Sequence, residues 1–173
     1  MIFTLADPVM PTHAIPLDEF DQEMSATRRL LERVPDGKGE WKPHPRSFPL
    51  GHLAQLVARM PGWMVSTLRE PAIDLKTGAP YSIEKTSKLL AEFDRNVKAA
   101  RKALAEVTGE ALSGKWSLVM GDQVMFTAKR GPITRQTLSH LVHHRGQLTV
   151  YLRELDVPLP SIYGPTADEG WQG

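Results

Sequence analysis

The chain has no cysteine among its 173 residues. That excludes disulfides, thiolate metal ligands and a cysteine nucleophile. It also lacks an excess of charge: Lys and Arg total 21 against 20 for Asp and Glu, a net charge of +1. A nucleic-acid binder usually carries a basic excess or a basic stripe, and neither is visible, so no nucleic-acid partner is expected. No apolar run reaches the ~18 residues that a membrane span needs. The start, Met1-Ile2-Phe3-Thr4-Leu5-Ala6-Asp7, has neither a basic segment nor an adequate apolar one for a signal peptide. These absences lead us to expect a soluble cytoplasmic protein. The known nucleophile and nucleotide signatures are missing too. There is no Gly-x-Ser-x-Gly elbow, no glycine-rich phosphate loop and no dinucleotide fingerprint.

What is present is helical periodicity. The apolar fraction, 41%, suits an ordinary globular core, and the length suits one domain over residues 1–173, with terminal extensions at 1–14 and 158–173. Apolar residues recur at steps of three and four in four segments. The first, from about Pro16 to Val34, carries Leu17, Phe20, Met24, Leu31 and Val34, and Pro35-Asp36-Gly37 stops it. The second, from about Pro49 to Arg69, carries Leu50, Leu53, Val57, Met60 and Met64. Ser47 is its expected N-cap, and Pro61 is expected to kink or split it. The third, Ile83 to Val107, repeats Ile83, Leu90, Phe93, Val97 and Leu104, with Ser82 as the expected cap. The fourth, about Pro132 to Asp156, aligns Leu141, His144, Leu148, Tyr151 and Leu155. Four amphipathic helices predict an all-α fold, a four-helix bundle with long ordered loops. Within residues 110–131, the two apolar stretches around Gly121-Asp122 allow a short hairpin.

The chemistry concentrates in the fourth segment, Leu138-Ser139-His140-Leu141-Val142-His143-His144-Arg145-Gly146-Gln147. Residues four apart on a helix share a face, so His140 and His144 can grip one metal ion. The competing reading is a hydrogen-bonded polar core with Ser139, Gln147 or Tyr151 as partners. His143 is rotated away and is expected near the surface. A metal site needs a third ligand, and His52, on the second helix beside Leu53, is the best placed. Its own alternative is a rim histidine with no ligand role. His44, between two prolines, reads as a loop-packing residue, and His13 lies near the terminus. Arg145 could bind an anionic group or form an ion pair. Asp168 and Glu169 could orient a histidine or sit in a solvated tail. Tyr163 could cover a pocket mouth or anchor the tail. Trp63 and Trp116 read as core or interface residues.

The run His140 to Leu148, followed by Tyr151-Leu152-Arg153, resembles the last helix of the DinB-like (damage-inducible, YfiT-like) metalloenzyme family. The tail Pro160-Ser161-Ile162-Tyr163-Gly164-Pro165-Thr166-Ala167-Asp168-Glu169 resembles that family's closing motif. Trp41 to Gly51, with Met60-Pro61-Gly62-Trp63, is similar as well. The resemblance spans nearly the whole chain. It implies a four-helix bundle, usually a homodimer, with a three-histidine site between the second and fourth helices. Zinc or nickel is the expected ion. Relatives include transferases and isomerases that act with low-molecular-weight thiols, so a metal-dependent S-transferase or hydrolase of a small molecule is the expected function. Carried over by residue, His140 and His144 match the paired ligands. The histidine position of the second helix falls at Leu56, with His52 one turn earlier. The alternative is a non-catalytic, dimeric, stress-associated binding protein with a degenerate site.

Overall fold

The computed structural model describes residues 14–171. Four long helices are present: α1 (Leu17–Leu31), α2 (Leu50–Arg69), α3 (Thr86–Glu106) and α5 (Arg130–Arg153). A short α4 (Gly109–Ser113) and three strands, β1 (Ala72–Asp74), β2 (Lys115–Met120) and β3 (Gln123–Lys129), complete the fold. The strands form one sheet in the order β1-β2-β3, parallel between β1 and β2 and antiparallel between β2 and β3. The expected all-α class is therefore corrected: the protein is a helical bundle that carries a mixed three-stranded sheet. The hairpin of β2 and β3 lies where the sequence allows one. β1 escapes the sequence because three residues are too few to show an alternating pattern. It is a strand only by pairing Ile73 with Leu118, 45 positions along the chain.

The core is the meeting of the apolar stripes. Phe20 and Met24 of α1, Leu53, Val57 and Met64 of α2, Phe93 and Leu104 of α3, and Leu141 and Leu148 of α5 are all buried. Helix α2 is central, packing on both α3 and α5. Pro61 does not split it. A proline within a helix frees carbonyls in the preceding turn, and Asn96 of α3 donates its amide to one of them, Ala58 O, at 3.0 Å. Gly62 leaves the room for that amide; a Cβ there would meet Asn96 Oδ1 at 3.2 Å.

The helix ends differ from the sequence reading. Neither Ser47 nor Ser82 caps a helix; α2 begins after Pro49 and α3 after Lys85. Ile83 is not part of α3 but packs on the backbone at Gly39, where an added Cβ would meet it at 2.1 Å. Asp36 of the α1–α2 loop instead accepts the Thr86 backbone N–H at 2.8 Å, a cap supplied from another element. At the far end of α2, Arg130 donates to the carbonyls of Thr67 and Glu70 at 2.5 and 2.6 Å. Those are orphan acceptors of a helix terminus. Asp74 closes β1 onto the hairpin turn, accepting the N–H of Gly121, which has φ +61°.

Candidate metal centre

Helix α5 buries Leu141, Arg145, Leu148 and Leu152 along one line. The stripe thus runs through Arg145, not His144 as the sequence suggested. The rotation has an electrostatic cause. The Arg145 guanidinium, 1% exposed, pairs with Glu23 at 2.7 Å and donates to Glu23 O and Thr27 Oγ1, both at 3.1 Å. It also donates to the Tyr163 hydroxyl, which donates in turn to the Glu23 carboxylate at 2.9 Å. Of the two readings for Arg145, the ion pair is the one observed. Tyr163 anchors the tail to this pair, and burial, with the Glu23 contact, raises its pKa.

Turning Arg145 inward places the histidines at the rim of the bundle. His140 is exposed, His144 half-buried and His143 exposed. The Nε2 atoms of His140 and His144 lie 2.9 Å apart. His144 Nδ1 is 2.7 Å from Gln147 Oε1, an atom that can only accept. The proton of His144 therefore sits on Nδ1, and its Nε2 lone pair faces His140. That is how a metal-ligating imidazole is ordinarily oriented. Two nitrogens held at about 2.0–2.1 Å from a tetrahedral zinc ion lie ~3.3 Å apart, so the pair needs to open by only a few tenths of an ångström. The two-nitrogen donor set fits a divalent ion. Partial desolvation at the rim holds the His140 pKa below its usual value, with His144 and His143 adding to the effect. The neutral ring is the ligand form.

His52 is not assembled with them. Its ring lies between Phe48 and Tyr81, with centroids at 4.3 and 3.9 Å and nearly parallel planes. Arg59 fixes the segment that carries Tyr81, donating to Ala79 O at 2.9 Å, while Gln55 Oε1 accepts Ser82 N–H at 2.7 Å. Burial, then the charges of Arg59 and His144, lower the His52 pKa, so His52 lies within electrostatic reach of His144. Leu56, at the family's histidine position, is buried in the apolar core. Among the described residues, no group of three His, Asp or Glu side chains is close enough to hold an ion. His44 is exposed and accepts Arg46 N–H at 3.2 Å within its own loop. His13 lies outside the described residues. Asp168 and Glu169 do not orient a histidine: Asp168 pairs with Arg153, and Glu169 with Arg29 and Arg33.

The sequence reading missed what lies beside the pair. Helices α2 and α5 and one face of the sheet enclose a pocket of about 340 Å³, with His140 and Trp63 on its edge. The signal was available only as the hairpin: pairing Leu118 with Phe126 and with Ile73 puts three apolar side chains on one sheet face.

Comparison with known proteins agrees with this architecture. The sequence model of the DinB family matches residues 10–172. The chain belongs to the DinB family. It is 25% identical over 161 residues to the uncharacterised protein YrdA of Bacillus subtilis strain 168, covering 88% of this chain and 89% of YrdA. Its fold is similar to that of the DinB-like protein YjoA of Bacillus subtilis, with TM-score 0.66, 18% identity, and 84% and 95% of the two chains covered. A DinB-like protein of Bacillus cereus ATCC 10987 gives TM-score 0.65 at 20% identity, covering 85% and 95%. A variant of a mycothiol-dependent maleylpyruvate isomerase gives TM-score 0.51 at 15% identity, covering 87% of this chain and 65% of that one. At such identities the solved structures speak for the fold alone.

Proposed function

We propose that this DinB-family chain is a metal-dependent enzyme acting on a small molecule with the help of a low-molecular-weight thiol. His140 and His144 would hold a zinc or nickel ion, and His52 would be its third ligand. The observation that carries the reading is the His140–His144 pair, with converging Nε2 atoms and His144 held by Gln147. An ion there would supply a positive centre that acidifies a thiol or a water. The chain's own residues do the rest. Gln147 fixes the His144 tautomer. The His52 ring is stacked between Phe48 and Tyr81 and would have to leave that stack to reach the ion. Trp63 stands beside His140, 6.2 Å away between ring centroids. The chain has no cysteine, so the sulfur comes from the thiol substrate. The fold shared with a mycothiol-dependent isomerase supports that choice of co-substrate.

One observation favours a second reading, a non-catalytic binding protein. Leu56 fills the family's histidine position with core packing, and His52 is occupied by its aromatic stack. Elemental analysis of protein purified without a histidine tag separates the two. The enzyme reading expects about one divalent ion per chain, lost in His52→Ala, His140→Ala and His144→Ala while the circular dichroism spectrum is retained. No ion after incubation with zinc and with nickel would sink it and leave the binding protein.

A further inference from the structure

The pocket between α2, α5 and the sheet has a lining that the metal reading does not explain. Ile73, Leu118, Phe126 and Ile133 make it predominantly apolar, and Lys, Arg, Asp and Glu are absent from its walls among the described residues. Trp116 also lines it, and its side chain is only 3% exposed. The Trp116 Nε1–H is the one buried side-chain polar atom without a hydrogen-bond partner among the described residues. A buried donor without an acceptor is costly. Tryptophan N–H groups in protein interiors ordinarily find a partner. The residue that carries the unmet donor also lines the pocket, with its Nε1 closed off from solvent.

We infer that this pocket binds an uncharged, largely aromatic or aliphatic small molecule bearing a carbonyl-type acceptor, which takes the Trp116 Nε1–H. In the ion-free chain no Lys or Arg lines the pocket to pair with a carboxylate, which favours an uncharged ligand. The volume, about 340 Å³, is roughly twice the ~150 Å³ of an apolar cavity that accepts benzene, so a bicyclic ring with a substituent fits. The acceptor reaches Nε1 by displacing a neighbouring side chain, because that atom is closed to water in the free protein. Phe126, 43% exposed and edge-on to the indole at 5.9 Å between centroids, is the neighbour that would be displaced. Bound this way, the molecule lies beside His140 at the pocket edge. The binding itself requires no ion.

The test uses two probes of like shape, 2-acetonaphthone and 2-ethylnaphthalene, titrated into 15N-labelled full-length protein with a chelator present. The indole N–H signal of Trp116 is identified by its loss in Trp116→Phe. The ketone is expected to move that signal downfield and to bind about tenfold tighter than the hydrocarbon, with the preference abolished in Trp116→Phe. Leu75→Trp, which adds a ring at an exposed position of the pocket wall, is expected to weaken both probes. Equal affinity of the two probes for the wild-type chain, or an indole signal that the ketone leaves unmoved, would overturn the inference. The chelator keeps this result independent of the metal analysis: a chain that fails to hold an ion can still bind the ketone.

Discussion

At the scale of single residues, Arg145 decides the orientation of α5. A guanidinium 1% exposed would be intolerable alone, and Glu23 with the Thr27 and Tyr163 hydroxyls satisfies it. Removing one partner of a buried pair leaves the other charge uncompensated, which costs about 3–5 kcal/mol. Arg145→Leu is therefore expected to lower the unfolding free energy in urea by about that amount. The double variant Arg145→Met with Glu23→Leu should recover much of it, because no charge is then left without a partner. A loss below about 1 kcal/mol in the single variant would show the pair to be no stronger than a surface contact. The sequence named Arg145 and offered an ion pair. It could not name Glu23, which lies 122 residues away in the chain. The two ligand candidates on α5 were readable because their spacing is local. The third, His52, was readable only as a nearby position, since its stack with Phe48 and Tyr81 depends on three separate segments.

At the scale of elements, the tail after α5 is a built structure. Asp168 takes Arg153 and the Leu159 backbone N–H, and Glu169 takes Arg29, Arg33 and the Ser161 N–H. The Arg153 contact, and then the Leu159 N–H, hold the Asp168 carboxyl below its ordinary value of 3.8. A group lowered on folding adds stability above its unfolded pKa and loses it as pH falls through the folded one. Tail docking is thus expected to hold at neutral pH and to loosen below about pH 4. Hydrogen exchange at the Leu159 amide reads this directly. Protection should fall on acidification and be low at neutral pH in Asp168→Asn; protection unchanged in that variant would refute the role. The helices were legible because each carries a 3.6-residue stripe over four or more turns. Their ends were not, because α3 takes its cap from Asp36 and α2 has its last carbonyls covered by Arg130, both from other elements.

At the scale of the whole molecule, the apolar stripes of the helices are consumed by the chain's own core. What remains exposed is a scattered set that includes Val124 and Met125 on β3, Met120 on β2, Val150 on α5 and Phe48 in a loop. We still propose the homodimer, on the family resemblance. Sedimentation of the full chain at micromolar concentration is expected to give twice the monomer mass, and a single monomeric species would remove the proposal. The described helices include none long and apolar enough to cross a membrane. The comparisons place the chain in the DinB family, as its motifs indicated.

By itself the sequence determined the four long helices, the hairpin's position and the His140–His144 pair, because each depends on spacing within a few turns of one segment. It set the charge balance and the lack of cysteine, which removes thiolate chemistry from the chain's own side chains. Only the tertiary structure decided that a strand at Ala72–Asp74 joins the hairpin, that Arg145 rather than His144 faces inward, and that His52 stacks between two rings. It alone brought the sheet face over α2 and α5 to form the pocket at His140. Those features rest on contacts between residues far apart in the chain, where the energy of a buried charge or a shared apolar face outweighs local preference.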